Sequence, residues 1–346
     1  MIFGQVGRAW VLASLTACCA FAQPQAQIGS IGDLKLENGA VIKDCRIGYR
    51  TFGALNAQRS NAVLFPTWFT GTTKELIGQI GPGKIVDPSR YYVVAMDALG
   101  DGISSSPSNS TTQSRMRFPE FSIRDMVEAE HALATRVLGL SHVHAVVGIS
   151  MGGMQTFEWM VAYPDFMDRA IPIVGSPKLG AYDLLLWQTE LRAIEEDPAW
   201  KHGDYQTRPE AAMRTVGDIH ALALETPQRR SRDTKPAQFD KLLAETEKEA
   251  KEGFDANDWY RQAQAMMRQD VSKRFGGDMQ KAAQAVHARV LVIAAVQDHM
   301  VTPYTALEFA RLAKARTLEL QSDCGHLAPG CELPKVSAAI AQFLAE

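Results

Sequence analysis

The stretch Gly148-Ile149-Ser150-Met151-Gly152, with Gly153 directly after it, has residue types and spacing that could do chemistry. It follows an apolar run (His144 to Ile149) and precedes a helical pattern that ends at Tyr163-Pro164. A serine in G-x-S-x-G between a strand and a helix reads as a nucleophile elbow, with its hydroxyl at the tip of a strained turn. Glycine is costly inside regular structure, so three of them around one serine need a geometric reason. The expected reason is contact: strand and helix cross so closely beneath Ser150 that side chains at Gly148 and Gly152 would collide. The helix start also aims its unpaired N–H groups at the reaction centre. The N–H of Met151 is therefore expected to be one oxyanion donor.

An elbow serine needs a base and an orienting acid, which follow it in the order acid, histidine. Asp298 comes just after the apolar run Arg289 to Ala295, and His326 lies in the loop past Arg316 to Gln321. The expected division of labour is that Asp298 holds the His326 imidazole, which takes the proton of Ser150. Asp323, three residues before His326, is the rival acid. His299 reads as a loop residue. His131, His142, His144, His202, His220 and His287 read as ordinary surface or core histidines. The second oxyanion donor is expected in the loop after Asn61 to Pro66, at the N–H of Phe69, with Trp68 next. Such a donor is worth roughly 3–4 kcal/mol to a transition state. Gly78 to Lys84 matches GxxxxGK, but Ile85 stands where a magnesium-binding hydroxyl belongs and Pro82 lacks an N–H, so it reads as a surface turn. There is no CxxC and no His/Cys cluster with zinc spacing. No metal and no cofactor is expected.

These residues need a scaffold. Gly32 to Leu55 alternates apolar and polar residues around Asn38-Gly39 and predicts an opening hairpin. Short apolar runs then alternate with helical patterns: 61–66, 91–97, 144–149, 169–175, 289–295 and 316–321. Continuous apolar strands separated by helices predict an α/β fold, a mostly parallel sheet covered by helices on both faces. From 179 to 285 no strong strand appears, which predicts a helical cap inserted between core segments 23–178 and 286–346. The charge run from Gln228 to Asp258 reads as a solvated helix face.

The chain has 346 residues, 46% of them hydrophobic and 22% charged, and a net charge of −3. No basic stripe occurs, so nucleic acid is not an expected partner. At the N-terminus, Arg8, the apolar run Ala9 to Phe21 and the triplet Ala20-Phe21-Ala22 predict a secretory leader (1–22), cut after Ala22 and too short to span a bilayer. The protein is then exported, periplasmic or secreted. Leu15-Thr16-Ala17-Cys18 also matches a bacterial lipoprotein box, which would make Cys18 a lipid anchor. Cys45, Cys324 and Cys331 remain after cleavage. Cys324 and Cys331 bracket His326 in a loop short enough to close a disulfide, which an exported protein tolerates. The alternative is two buried free thiols. Cys45 stays unpaired either way.

Several blocks carry a resemblance. "YRTFGALNAQRSNAVL", "IGPGKIVDPSRYYVV", "FPEFSIRDMVEAEHAL", "LGLSHVHAVVGISMGGMQTFEWMVAYPDFMDRAIPI" and "RAIEEDPAWKHGDY" resemble the homoserine O-acetyltransferase branch of the α/β hydrolases. The resemblance covers nearly the whole chain after the leader and implies the triad Ser150, Asp298 and His326. It departs where homoserine would sit. The family's transferases carry an Asp after the catalytic His, where this chain has Leu327, and an Arg and a Tyr-Arg pair that "RTVGDIHALALETPQ" lacks. Losing the partners of a buried zwitterion costs several kcal/mol of recognition. Acetyl-CoA is, moreover, cytoplasmic. The expected activity is hydrolysis of a small-molecule acyl ester through an acyl-Ser150 intermediate, with Trp68 and Leu327 at the substrate. The alternatives are an O-acyltransferase and a binding protein that kept the fold. The cap is the expected face of a homodimer.

Overall fold

The computed structural model describes residues 24–346, and of residues 249–252 the backbone alone. The expected leader and Cys18 lie outside the described residues. The chain opens with the hairpin β1 (Gln27–Lys35) and β2 (Val41–Phe52). Its turn closes through Leu36 N–H to Ala40 O at 2.9 Å and Gly39 N–H to Leu36 O at 3.0 Å. Gly39 sits at φ 86°, a left-handed conformation that favours glycine.

Strands β3 (Ala62–Pro66), β4 (Tyr92–Met96), β5 (Val143–Ile149), β6 (Met167–Ile173), β7 (Arg289–Ala295) and β8 (Arg316–Leu320) complete an eight-stranded sheet in the order β1-β2-β4-β3-β5-β6-β7-β8. β2 runs antiparallel to β1 and β4, and the remaining pairs are parallel. The central strands β3, β4, β5 and β7 are apolar and buried along nearly their whole length because both faces are covered, whereas the edge strands β1 and β8 are largely exposed. Leu64, Val94, Met96 and Val146 join the core on one face, with α2 (Ile123–Ala132) and α3 (Met151–Ala162). Val63, Phe65, Val93 and Val147 join the core on the other, where α12 (Leu333–Ala345) packs through Val336, Ile340 and Phe343. The short α1 (Thr73–Leu76) follows β3.

Between β6 and β7 the described chain is helical: α4 (Ala181–Glu195), α5 (Glu210–Leu224), α6 (Pro227–Asp233), α7 (Phe239–Glu252), α8 (Ala256–Met267) and α9 (Met279–Gln284). The insertion is not uniform. The first half of α7 is largely exposed, as its charge run suggests, whereas α8 is buried from Ala256 to Ala263. Polar side chains on α8 explain the difference: Gln262 bonds Thr70 N and Leu99 O, and Arg261 donates to the carbonyls of Met116 and Phe118. That half of the insertion is bolted to the core loops. α10 (Tyr304–Leu312) and α11 (Ala328–Cys331) complete the described helices.

Candidate active site

β5 and α3 meet at Ser150, which has φ 58° and ψ −119°. A non-glycine residue there is strained, and such strain persists only where the surroundings fix it. The surroundings are the glycines. A Cβ on Gly148 would lie 2.0 Å from the Gly152 carbonyl oxygen, and one on Gly152 would lie 2.6 Å from the Pro66 carbonyl oxygen. One on Gly153 would lie 2.9 Å from the Ile173 carbonyl oxygen. The obstacles are backbone atoms, which cannot rotate aside. Three glycines thus let α3 cross β3, β5 and β6 at contact distance, and Ser150 N–H bonds Ile173 O at 2.8 Å.

The loops at this edge of the sheet bring the other two residues to the serine. His326 Nε2 lies 2.8 Å from Ser150 Oγ, and its Nδ1 lies 2.6 Å from Asp298 Oδ2. The other carboxylate oxygen of Asp298 accepts the N–H groups of Met300 and Val301 at 2.9 and 3.0 Å. These bonds leave the carboxylate one orientation, facing the imidazole. All three residues are largely withdrawn from water, at 9%, 5% and 7% exposure for Ser150, Asp298 and His326. The Asp298 loop is held in turn by Asp183 of α4, whose carboxylate accepts the N–H and hydroxyl of Thr302, each at 3.0 Å. Burial raises the Asp183 pKa, and the nearby charge of Asp298 raises it further. Asp323, the rival acid, is turned to Arg232 of α6 instead. His299 bonds the carbonyls of Gln297 and Leu222.

The His326 loop is clamped. Cys324 and Cys331 form a disulfide with a Cα–Cα distance of 6.6 Å. Arg229 of α6 contacts both sulfurs, and Thr226 Oγ1 donates to the Asp323 carbonyl at 2.5 Å. Cys45 is free and buried, and burial pushes its thiol pKa up to about 12, so it stays protonated.

Facing Ser150 is the loop after β3. Thr70, at φ 62°, donates its N–H to Gln262 Oε1 at 3.0 Å. Gln155 of α3 holds the Thr67 carbonyl at 3.0 Å. The N–H groups of Met151 and Phe69 make no hydrogen bond to any described residue. A cavity of about 510 Å³ opens over Ser150 and His326, walled by Trp68, Phe69, Ile149, Trp187, Met300 and Leu327 among others. Trp68, Phe69 and Leu327 thus stand in the wall of the cavity, with Leu327 40% exposed at its rim. His220 lines this cavity too, unlike the ordinary histidine expected from its helical context.

Residues 78–329 match the family described as the alpha/beta hydrolase fold. The chain belongs to the alpha/beta hydrolases. Within them it is 34% identical over 309 residues to an ethyl acetate hydrolase of Pseudomonas veronii, covering 86% of this chain and 88% of the relative. A homoserine O-acetyltransferase of Caulobacter vibrioides is 32% identical over 357 aligned positions, covering 90% and 92%. The crystal structure of the acetyl esterase MekB superposes with a TM-score of 0.88 at 31% identity, covering 93% of this chain and 97% of that one. This alpha/beta hydrolase therefore has both esterases and acetyltransferases as relatives.

Sequence reasoning missed the cavity wall that the helical insertion supplies. Trp187 of α4, His220 of α5 and Arg229 of α6 sit at positions no motif marks. One signal was available: several aromatic residues in an otherwise charged insertion need a surface to cover, and here it is the site.

Proposed function

We propose that this alpha/beta hydrolase is an exported serine esterase of small acyl esters, working through a covalent acyl-Ser150 intermediate. The observation that carries this reading is the unbroken hydrogen-bonded chain from Ser150 Oγ through His326 to the fixed carboxylate of Asp298. His326 takes the Ser150 proton as Oγ attacks the ester carbonyl, and Asp298 stabilises the imidazolium that forms. The N–H groups of Met151 and Phe69 receive the developing oxyanion. His326 then protonates the departing alcohol. A water, deprotonated by His326, discharges the acyl group and regenerates the serine.

Hydrolysis is favoured over transfer by the apolar Leu327 beside the base and by the largely apolar walls of the cavity. The ammonium of an amino-acid acceptor would lose its hydration there and meet no carboxylate in the wall. The relatives named for ethyl acetate and acetyl esters support a short acyl group. The acetyltransferase relative supports the second reading, transfer to an alcohol. Export rests on the N-terminal sequence. The test offers the purified enzyme acetate and butyrate alkyl esters, then acetyl-CoA with homoserine. Ser150-dependent ester hydrolysis with negligible acetyl-homoserine is expected. Homoserine acetylation far faster than any ester hydrolysis would overturn the reading.

A further inference from the structure

Three helices of the insertion converge on one imidazole in the wall of the catalytic cavity. His220 of α5 places Nδ1 3.2 Å from Glu190 Oε1 of α4. Glu190 is fully buried, and its other oxygen accepts the indole N–H of Trp259 of α8 at 3.1 Å. The rings of Phe69, Trp187 and Trp259 surround the imidazole at centroid distances of 5.9, 5.9 and 5.2 Å. A carboxylate can only accept, so Nδ1 carries the proton and the ring orientation is fixed. Nε2 makes no hydrogen bond to any described residue, and the side chain keeps 20% exposure. His220 also borders a second cavity of about 260 Å³, which it shares with Thr70 and Leu224. An oriented polar atom on the wall between two cavities, ringed by Phe69, Trp187 and Trp259, has the placement of a recognition group.

We infer that His220 binds a hydroxyl group on the substrate, so that the preferred esters carry a free hydroxyl beyond the scissile bond. This rests on the esterase reading above and narrows its substrate class. The choice of hydroxyl follows from the imidazole. A hydroxyl donates to neutral Nε2 and accepts from protonated Nε2, so it pairs in both states. A carbonyl or carboxylate pairs only with the protonated ring. Glu190 and Trp259 are positioning residues for this contact.

The test compares kcat/KM for isosteric ester pairs: 2-hydroxyethyl acetate with propyl acetate, and 4-hydroxybutyl acetate with pentyl acetate. The wild type should prefer the hydroxylated member of at least one pair by about tenfold, the scale of one net hydrogen bond. In His220→Phe that ratio should fall close to one, while His220→Gln, which keeps a hydrogen-bonding tip, should retain part of it. A structural role alone would lower both members equally and leave the ratio intact. A wild type with no preference in either pair, or a ratio that survives in His220→Phe, would overturn the inference while leaving the esterase reading standing. Absence of any Ser150-dependent ester hydrolysis would remove the esterase reading itself, and this inference with it.

Discussion

The sheet edge and the helical insertion contribute to one cavity by different physics. At the sheet edge the constraints are backbone on backbone. Gly148, Gly152 and Gly153 admit no side chain, Ser150 is held in a strained turn, and Asp298 is oriented by main-chain N–H groups. In the insertion the constraints run between side chains: Glu190 with His220 and Trp259, Gln262 with the Thr70 loop, Arg229 against the disulfide. Backbone constraints tolerate almost no change in residue type. Side-chain constraints can be rebuilt from other residues. The difference suggests where chemistry is kept and where substrate choice varies.

Four substitutions would break or sharpen that contrast. On the proposed mechanism Ser150→Ala removes the nucleophile and no core volume, so kcat should fall by about 10⁴-fold or more with the melting temperature unchanged. A variant keeping a tenth of parental activity would contradict the assignment. Gly148→Ala should cost about 3 kcal/mol, because its Cβ meets a carbonyl oxygen at 2.0 Å and overpacking against backbone is hard to relieve. Urea unfolding measures this, and a loss under 1 kcal/mol would show that the crossing can widen. Cys331→Ser opens the loop around His326 and should lower stability by about 2.5 kcal/mol on the chain-entropy model. Its kcat well below the melting point should also drop several-fold if the clamp positions the base. A stability loss with kcat intact would make the disulfide purely structural.

The fourth substitution concerns the core beneath the elbow. Glu130 is wholly buried and accepts the Trp159 indole N–H at 2.8 Å, and burial pushes its pKa up to about 8. In the unfolded chain a glutamate titrates near 4.3. Between those values the folded state binds the extra proton, so this group makes stability fall as pH rises, by at most about 1.4 kcal/mol per pH unit. Glu130→Gln keeps the shape and removes the titration. Its stability relative to the parent should therefore improve from pH 5 to pH 8 in urea unfolding. An unchanged difference at the two pH values would mean that Glu130 is ionised in the fold.

The same contrast governs how much could be read in the sequence. The hairpin around Gly39, the parallel strands and the elbow were all legible, since each rests on local patterns that the backbone enforces. Asp298 and His326 were legible because both follow strand ends at one edge of the sheet. Phe69 and Leu327 were reachable by their offsets from a strand and a histidine. His220 was not. Its place depends on how α4, α5 and α8 pack, and a helical histidine carries no local sign of facing a cavity. The bolting of α8 to the core was equally hidden, because Gln262 finds its partners Thr70 and Leu99 far away in the chain.

The central claim is that Ser150 becomes covalently acylated. The direct measurement treats the folded protein with a fluorophosphonate, which reacts only with an activated serine, and maps the adduct by peptide mass spectrometry. One adduct is expected, on the peptide containing Ser150, and it should be absent from Ser150→Ala and strongly slowed in His326→Ala. An adduct on another residue, or labelling that survives in Ser150→Ala, would contradict the account.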